Sequence, residues 1–128
     1  MWFPMETIET PGYHPRTLEV MDLVGDKWTL LVTYRLGGER MRFSELRRQA
    51  EPISAKMLSQ TLRRLESFGM VGREVINTKP PSVEYRLTEL GGSFLSAASV
   101  ICAWTRDNIV ALDRAHASFV KQEVAAKE

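Results

Sequence analysis

Over most of the chain, apolar positions return with a helical period, and that period changes once. In RTLEVMDLVGDKWTLLVTYRLGG (residues 16–38), Leu18, Met21 and Val24 recur at helical spacing, as do Trp28, Leu31, Val32 and Leu36. This predicts two helices separated near Gly25–Asp26, the second stopping at Gly37–Gly38, where glycine can take a left-handed cap conformation. FSELRRQ predicts a short third helix with Ser44 as its cap. Pro52 disfavours helix at Glu51, and Ser54 is placed to cap a fourth helix. Two helices joined this tightly make a helix-turn-helix.

The fourth helix, within ISAKMLSQTLRRLE (residues 53–66), is two sequences interleaved. Leu58, Leu62 and Leu65 fall on one face; Lys56, Ser59, Gln60 and Arg63 fall roughly opposite. The helix is predicted to run to about Phe68 and end at Gly69. Then the period becomes two. VGREVI and VEYRLT alternate as half-buried strands, with Val83, Tyr85 and Leu87 on one face. NTKPPS between them makes a turn-rich hairpin tip carrying Lys79. From Thr88 and Glu89 a long helical region runs to Val124, with breaks expected near Asp107–Asn108 or Asp113. The expected core is Trp28, Leu31, Leu46, Leu58, Leu62, Leu65, Tyr85 and Leu87.

Helix, helix, helix-turn-helix, hairpin is the order of a winged helix. The predicted class is mainly α with a small β-hairpin: a winged helix-turn-helix with N- and C-terminal dimerisation helices. Residues 1–14, rich in Pro, Thr and Glu, are expected to form an irregular arm, 15–90 a DNA-binding domain, and 91–128 a C-terminal helical dimerisation region. FLSAASVICAW (residues 94–104) is apolar on nearly every side, so it needs cover on more than one side. A second chain is the expected cover, and a two-fold dimer would present two reading helices to a palindromic operator.

Charge adds the partner. Net charge is +1 over 128 residues, but residues 40–64 hold seven bases and two acids. That block coincides with the helix-turn-helix, as an anionic partner requires. Lys56, Ser59, Gln60 and Arg63 are the candidate base readers, since Gln pairs with adenine and Arg or Lys with guanine. Arg42, Ser44, Arg47, Arg48, Ser54, Arg64 and Lys79 are the candidate phosphate and wing contacts. The same basic face would suit a winged-helix protein-interaction module with an acidic protein partner, which is the alternative.

Other chemistry is thin. There is no glycine-rich phosphate loop and no motif with an activated nucleophile, so no enzyme is expected. His14 and His116 stand far apart, and no metal or cofactor is expected. No apolar run approaches a membrane span, and the first residues lack a secretory signal pattern. Cys102 is the only cysteine, which suits a cytoplasmic setting. Set between Ile101 and Ala103, it is expected to be buried and structural, with any small-molecule effector bound non-covalently. Trp28, Cys102 and Trp104 are the candidate effector or redox residues.

The motifs GDKWTLL (25–31), RFSELRR (42–48), IS-KML-QTLRRLE--G (53–69), Arg73, PSVEYRLTELG (81–91) and Trp104 together resemble the HxlR-type transcriptional regulators, a winged-helix group related to the MarR type. The resemblance covers Pro15 through Trp104. It implies a homodimeric, cytoplasmic, DNA-binding regulator, of a kind that often senses oxidants or electrophiles. The family often places a cysteine immediately before the proline that precedes the first helix. Here His14 stands before Pro15, so the resemblance transfers the thiol-sensing part poorly.

Overall fold

A computed structural model describes residues 14–127; the expected irregular arm lies almost wholly outside the described residues. Six helices and three strands follow in order: α1 Thr17–Val24, α2 Lys27–Leu36, β1 Met41–Arg42, α3 Phe43–Gln49, α4 Ala55–Ser67, β2 Val71–Ile76, β3 Ser82–Leu87, α5 Glu89–Asp107 and α6 Ile109–Lys127. The strands form one antiparallel sheet in the order β1-β3-β2. Val71 pairs with Leu87 and Ile76 with Ser82, which is the expected hairpin. β1 was not expected. Its two residues add to the free edge of β3, Met41 opposite Tyr85, and two residues are too few to carry a period.

Local chemistry sets the boundaries. Asp26 caps α2, its carboxylate accepting from the Trp28 N–H at 3.0 Å and from the Thr29 hydroxyl at 3.0 Å. Ser54 caps α4, its hydroxyl accepting from the Met57 N–H at 3.0 Å. Thr88 caps α5 by accepting from the Gly91 N–H, and its hydroxyl donates back to the Gly69 carbonyl at 2.6 Å. Ser44 is not a cap. The cap falls two residues earlier, at Arg42, whose N–H donates to the Glu45 carboxylate at 3.4 Å.

The left-handed glycine also sits elsewhere. Gly37 has φ −63°, and Gly69, with φ +72°, is the left-handed residue that ends α4 and turns the chain into β2. Gly37 serves a different need: a Cβ there would come 2.7 Å from the Leu95 side chain of α5. Gly91 is tighter still: an added Cβ would run into the Met70 carbonyl oxygen. These two glycines let α5 lie against α2 and the start of β2.

The core lies among α2, α3, α4 and the sheet. Val32, Leu46, Leu58 and Leu65 are fully buried, and Leu62, Met70, Val71 and Phe94 are nearly so. Trp28, Leu31, Tyr85 and Leu87 are half-buried at its edge. In α1 the helical stripe is only partly inward: Val24 packs against the core, Leu18 and Met21 are exposed, and Leu23, with Val20 beside it, reaches furthest in. The long C-terminal region breaks at Asn108. α6 buries no residue at all.

Candidate nucleic-acid interface

α4 is built to be held on one side. Its leucines lock into the core while Lys56, Ser59, Gln60 and Arg63 all stand exposed on the outer face. Thr61 is buried and returns its hydroxyl to the Met57 carbonyl at 2.8 Å, so no polar side chain is left bare on the inner face. The result is a rigid helix with a free polar surface, as groove recognition needs.

Bases flank it on two sides. Ser44, Arg47 and Arg48 of α3 line one concavity of about 530 Å³ with Glu51, Pro52 and Ile53 of the turn. Arg42 is exposed just before α3. Ser54 spends its oxygen lone pair on the helix cap. On the other side, Ser59 and Arg63 share a smaller concavity, about 220 Å³, with Glu66 of α4 and with Arg73 and Tyr85 of the sheet. Lys79 stands exposed at the wing tip, away from both, beside a turn in which the Thr78 hydroxyl donates to the Pro80 carbonyl at 2.7 Å.

Two arginines differ from the sequence-based assignment. Arg64 is half-buried and points to Asp26, with a guanidinium nitrogen 3.7 Å from its carboxylate. It therefore joins α4 to the cap of α2. Arg73 was not among the candidate contacts, yet it lies beside Arg63, 4.0 Å from Glu66. Strand alternation marks which face Arg73 occupies, but only the docking of β2 against α4 brings that face to the reading helix. Arg40, by contrast, is engaged by Glu74 at 3.2 Å and Glu84 at 3.8 Å on the sheet.

The three candidate effector residues do not come together. Trp28 is half-buried at the core edge with the Lys27 ammonium 4.8 Å from its ring centre. Trp104 is 56% exposed. Cys102, expected to be buried, is exposed. It lines a groove of about 530 Å³ between α2 and α5 together with Leu31, Leu95 and Arg106. The apolar neighbours in sequence, Ile101 above all, point elsewhere on α5 and do not cover the thiol. Among the described residues no three His, Cys, Asp or Glu side chains gather as a metal site, and no helix is long and apolar enough to cross a membrane.

A reading helix seated on a three-helix core, with a β-hairpin beside it, defines a winged helix-turn-helix protein. Residues 23–113 match the HxlR-like helix-turn-helix family, and the chain belongs to that family of transcriptional regulators. It is 36% identical over 102 residues to the HTH-type transcriptional regulator YtcD of Bacillus subtilis, covering 80% of this chain and 81% of that one. It is 44% identical over 81 residues to an HTH-type transcriptional regulator of Methanothermobacter thermautotrophicus, covering 63% of this chain and 62% of that relative's length. Among solved structures, the reduced form of the transcriptional regulator YodB from B. subtilis superposes with a TM-score of 0.68 at 31% identity, over 73% of this chain and 91% of that one.

Proposed function

We propose that the protein is a sequence-specific, homodimeric, cytoplasmic transcriptional regulator that responds to a small effector. One observation carries the DNA part: α4 buries every leucine and leaves Lys56, Ser59, Gln60 and Arg63 free together on its outer face. In this reading those four side chains enter the major groove and meet base edges. Arg42, Ser44, Arg47 and Arg48 of the α3 region, with Lys79 on the wing, hold phosphates and fix register. Arg73 joins them from the foot of the wing. Arg64 is a positioning residue that braces α4 against α2 through Asp26.

The dimer has its own support. α6 buries nothing, although it carries Ile109, Val110, Phe119, Val120 and Val124, all 45–66% exposed. Leu18 and Met21 of α1 and Ile101 and Trp104 of α5 are exposed as well. So much exposed apolar area is unusual for a chain that works alone. A second copy covering it doubles the reading helices and suits a palindromic operator.

The test is a titration of fluorescent duplexes. The duplex from the protein's own upstream region is expected to bind far more tightly than a scrambled duplex, and both affinities are expected to fall steeply with salt. Equal affinity for the two duplexes would remove sequence-specific regulation and favour the module that binds an acidic protein.

A further inference from the structure

The groove between α2 and α5 is unlike the rest of the surface. Leu30 and Leu31 of α2 and Leu95 and Ala98 of α5 give it an apolar floor. Along α5 it then passes Ser99 and Cys102 and ends at Arg106. From Leu95 to Arg106 the helix rises about 16 Å at about 1.5 Å per residue. The groove is thus elongated, apolar at one end and cationic at the other.

Arg106 is the arginine that lines this groove, and no carboxylate among the described residues comes within 4.0 Å of it. Tyr34 of α2 also lines the groove, and its phenol can donate a second hydrogen bond to an anion; the remaining polar groups do not compete for one. The Ser99 hydroxyl already donates to the Leu95 carbonyl at 2.8 Å. Cys102 contributes a weak donor and a polarizable surface. An apolar floor, one free guanidinium and no acidic side chain in the lining select for one ligand chemistry: a hydrocarbon or aromatic body with a single carboxylate at its end.

We propose that this groove is a binding site for a small amphiphilic monocarboxylate, with Arg106 holding the carboxylate and the Leu30, Leu31, Leu95 and Ala98 surface taking its apolar body. The site is separate from the apolar surface assigned to the second copy. On α5, Leu95, Ser99, Cys102 and Arg106 form one stripe at helical spacing, while Leu90, Ala97, Ile101 and Trp104 form another around the helix. A ligand therefore enters without displacing the partner.

The consequence for DNA rests on the function proposed above. α2 packs directly on α4, and its cap residue Asp26 is the one that pairs with Arg64 of α4. A body wedged between α2 and α5 presses on the helix that supports the reading helix, and differential binding to two arrangements shifts DNA affinity.

The experiment separates the two readings by measuring binding first without DNA. The full chain is titrated calorimetrically with sodium octanoate and, in parallel, with octyltrimethylammonium, which has the same chain length and the opposite charge. Octanoate is expected to saturate at one per chain, and the cationic amphiphile to show no saturable heat. Arg106→Gln is expected to weaken octanoate about tenfold or more, and Arg106→Lys to recover part of that loss. Ser99→Phe, which fills the groove, is expected to abolish binding while its circular dichroism stays that of the parent. Equal binding of the two amphiphiles, or undiminished octanoate binding by Arg106→Gln, overturns the site. Duplex binding by the ligand-free protein tests the regulator reading independently, so either can fail alone.

Discussion

α4 and α6 both carry several large apolar residues and end in opposite situations. In α4, Leu58, Leu62 and Leu65 are 0–2% exposed; in α6, Val110 and Phe119 are 66% and 59% exposed. The difference is not hydrophobicity. α4 has α2 and β2 to lie against, while α6 leaves the body of the chain at Asn108 and meets little beyond the end of α5. One helix is completed by its own chain. The other is complete only when something else covers it, and the function proposed here assigns that cover to a second copy.

The largest expected effect sharpens this contrast. Leu58→Ala is expected to cost about 2–5 kcal/mol of stability, because it opens a cavity in a packed core. Phe119→Ala, although it removes a larger side chain, is expected to leave the fold of the winged domain nearly unchanged and to weaken self-association instead. Denaturation at several protein concentrations, with sedimentation analysis alongside, separates the two. A Phe119→Ala protein that loses stability as much as Leu58→Ala, with no change in association, would mean that α6 folds back on its own chain.

The second contrast lies within the interface. Arg63→Ala or Gln60→Ala is expected to cost about 1–3 kcal/mol on the preferred duplex and to relax base preference. Lys79→Ala or Arg47→Ala is expected to weaken preferred and scrambled duplexes alike and to flatten the salt slope by about one unit. Competition titrations at several salt concentrations read both. An Arg63→Ala protein with unchanged preference would take α4 out of the major groove.

How much of this the residues disclose depends on where the deciding contact lies. α4 and the hairpin are legible because their periods differ and because Ser54 and Gly69 mark the helix ends locally. The break at Asn108 is legible for the same reason. α1 misleads because it carries two overlapping apolar stripes, and only tertiary packing selects Val20 and Leu23 over Leu18 and Met21. β1 is invisible because two residues have no period. Cys102 misleads because apolar neighbours in sequence need not be neighbours in space: on a helix, Ile101 faces away from the groove that the thiol lines. The role of Arg64 depends on Asp26, thirty-eight positions earlier, and no local pattern reports such a pair.

Caps give a smaller, cleaner comparison between the serines at the starts of α3 and α4. Ser54 accepts from the Met57 N–H, while Ser44 sits inside the first turn of α3 with no such role. Ser54→Ala is therefore expected to cost about 1 kcal/mol and Ser44→Ala less than about 0.5 kcal/mol, by urea denaturation. Equal costs would return the cap of α3 to Ser44.

The smallest expected effect concerns Arg64, whose two possible partners pull it in different directions. If it holds a phosphate, its loss acts on every duplex and on the salt slope, as the loss of Arg47 does. The structure turns it inward, toward the residue that caps α2. Both groups keep substantial contact with solvent, about 40% and 31% for the two side chains, so screening holds the pair to at most about 1 kcal/mol. Arg64→Met preserves the aliphatic stem that packs on the helix and removes only the charge. It is expected to lower stability by less than about 1 kcal/mol and to leave the salt slope of DNA binding where it was. Asp26→Ala is expected to cost more than Arg64→Met, because the carboxylate also caps α2 and receives the Thr29 hydroxyl. The double variant should then cost less than the sum of the two, since the pair is counted in each single change. Strict additivity in stability, together with a salt slope flattened by about one unit in Arg64→Met, would show that the side chain swings outward on DNA and that its place beside Asp26 is only where it rests between encounters.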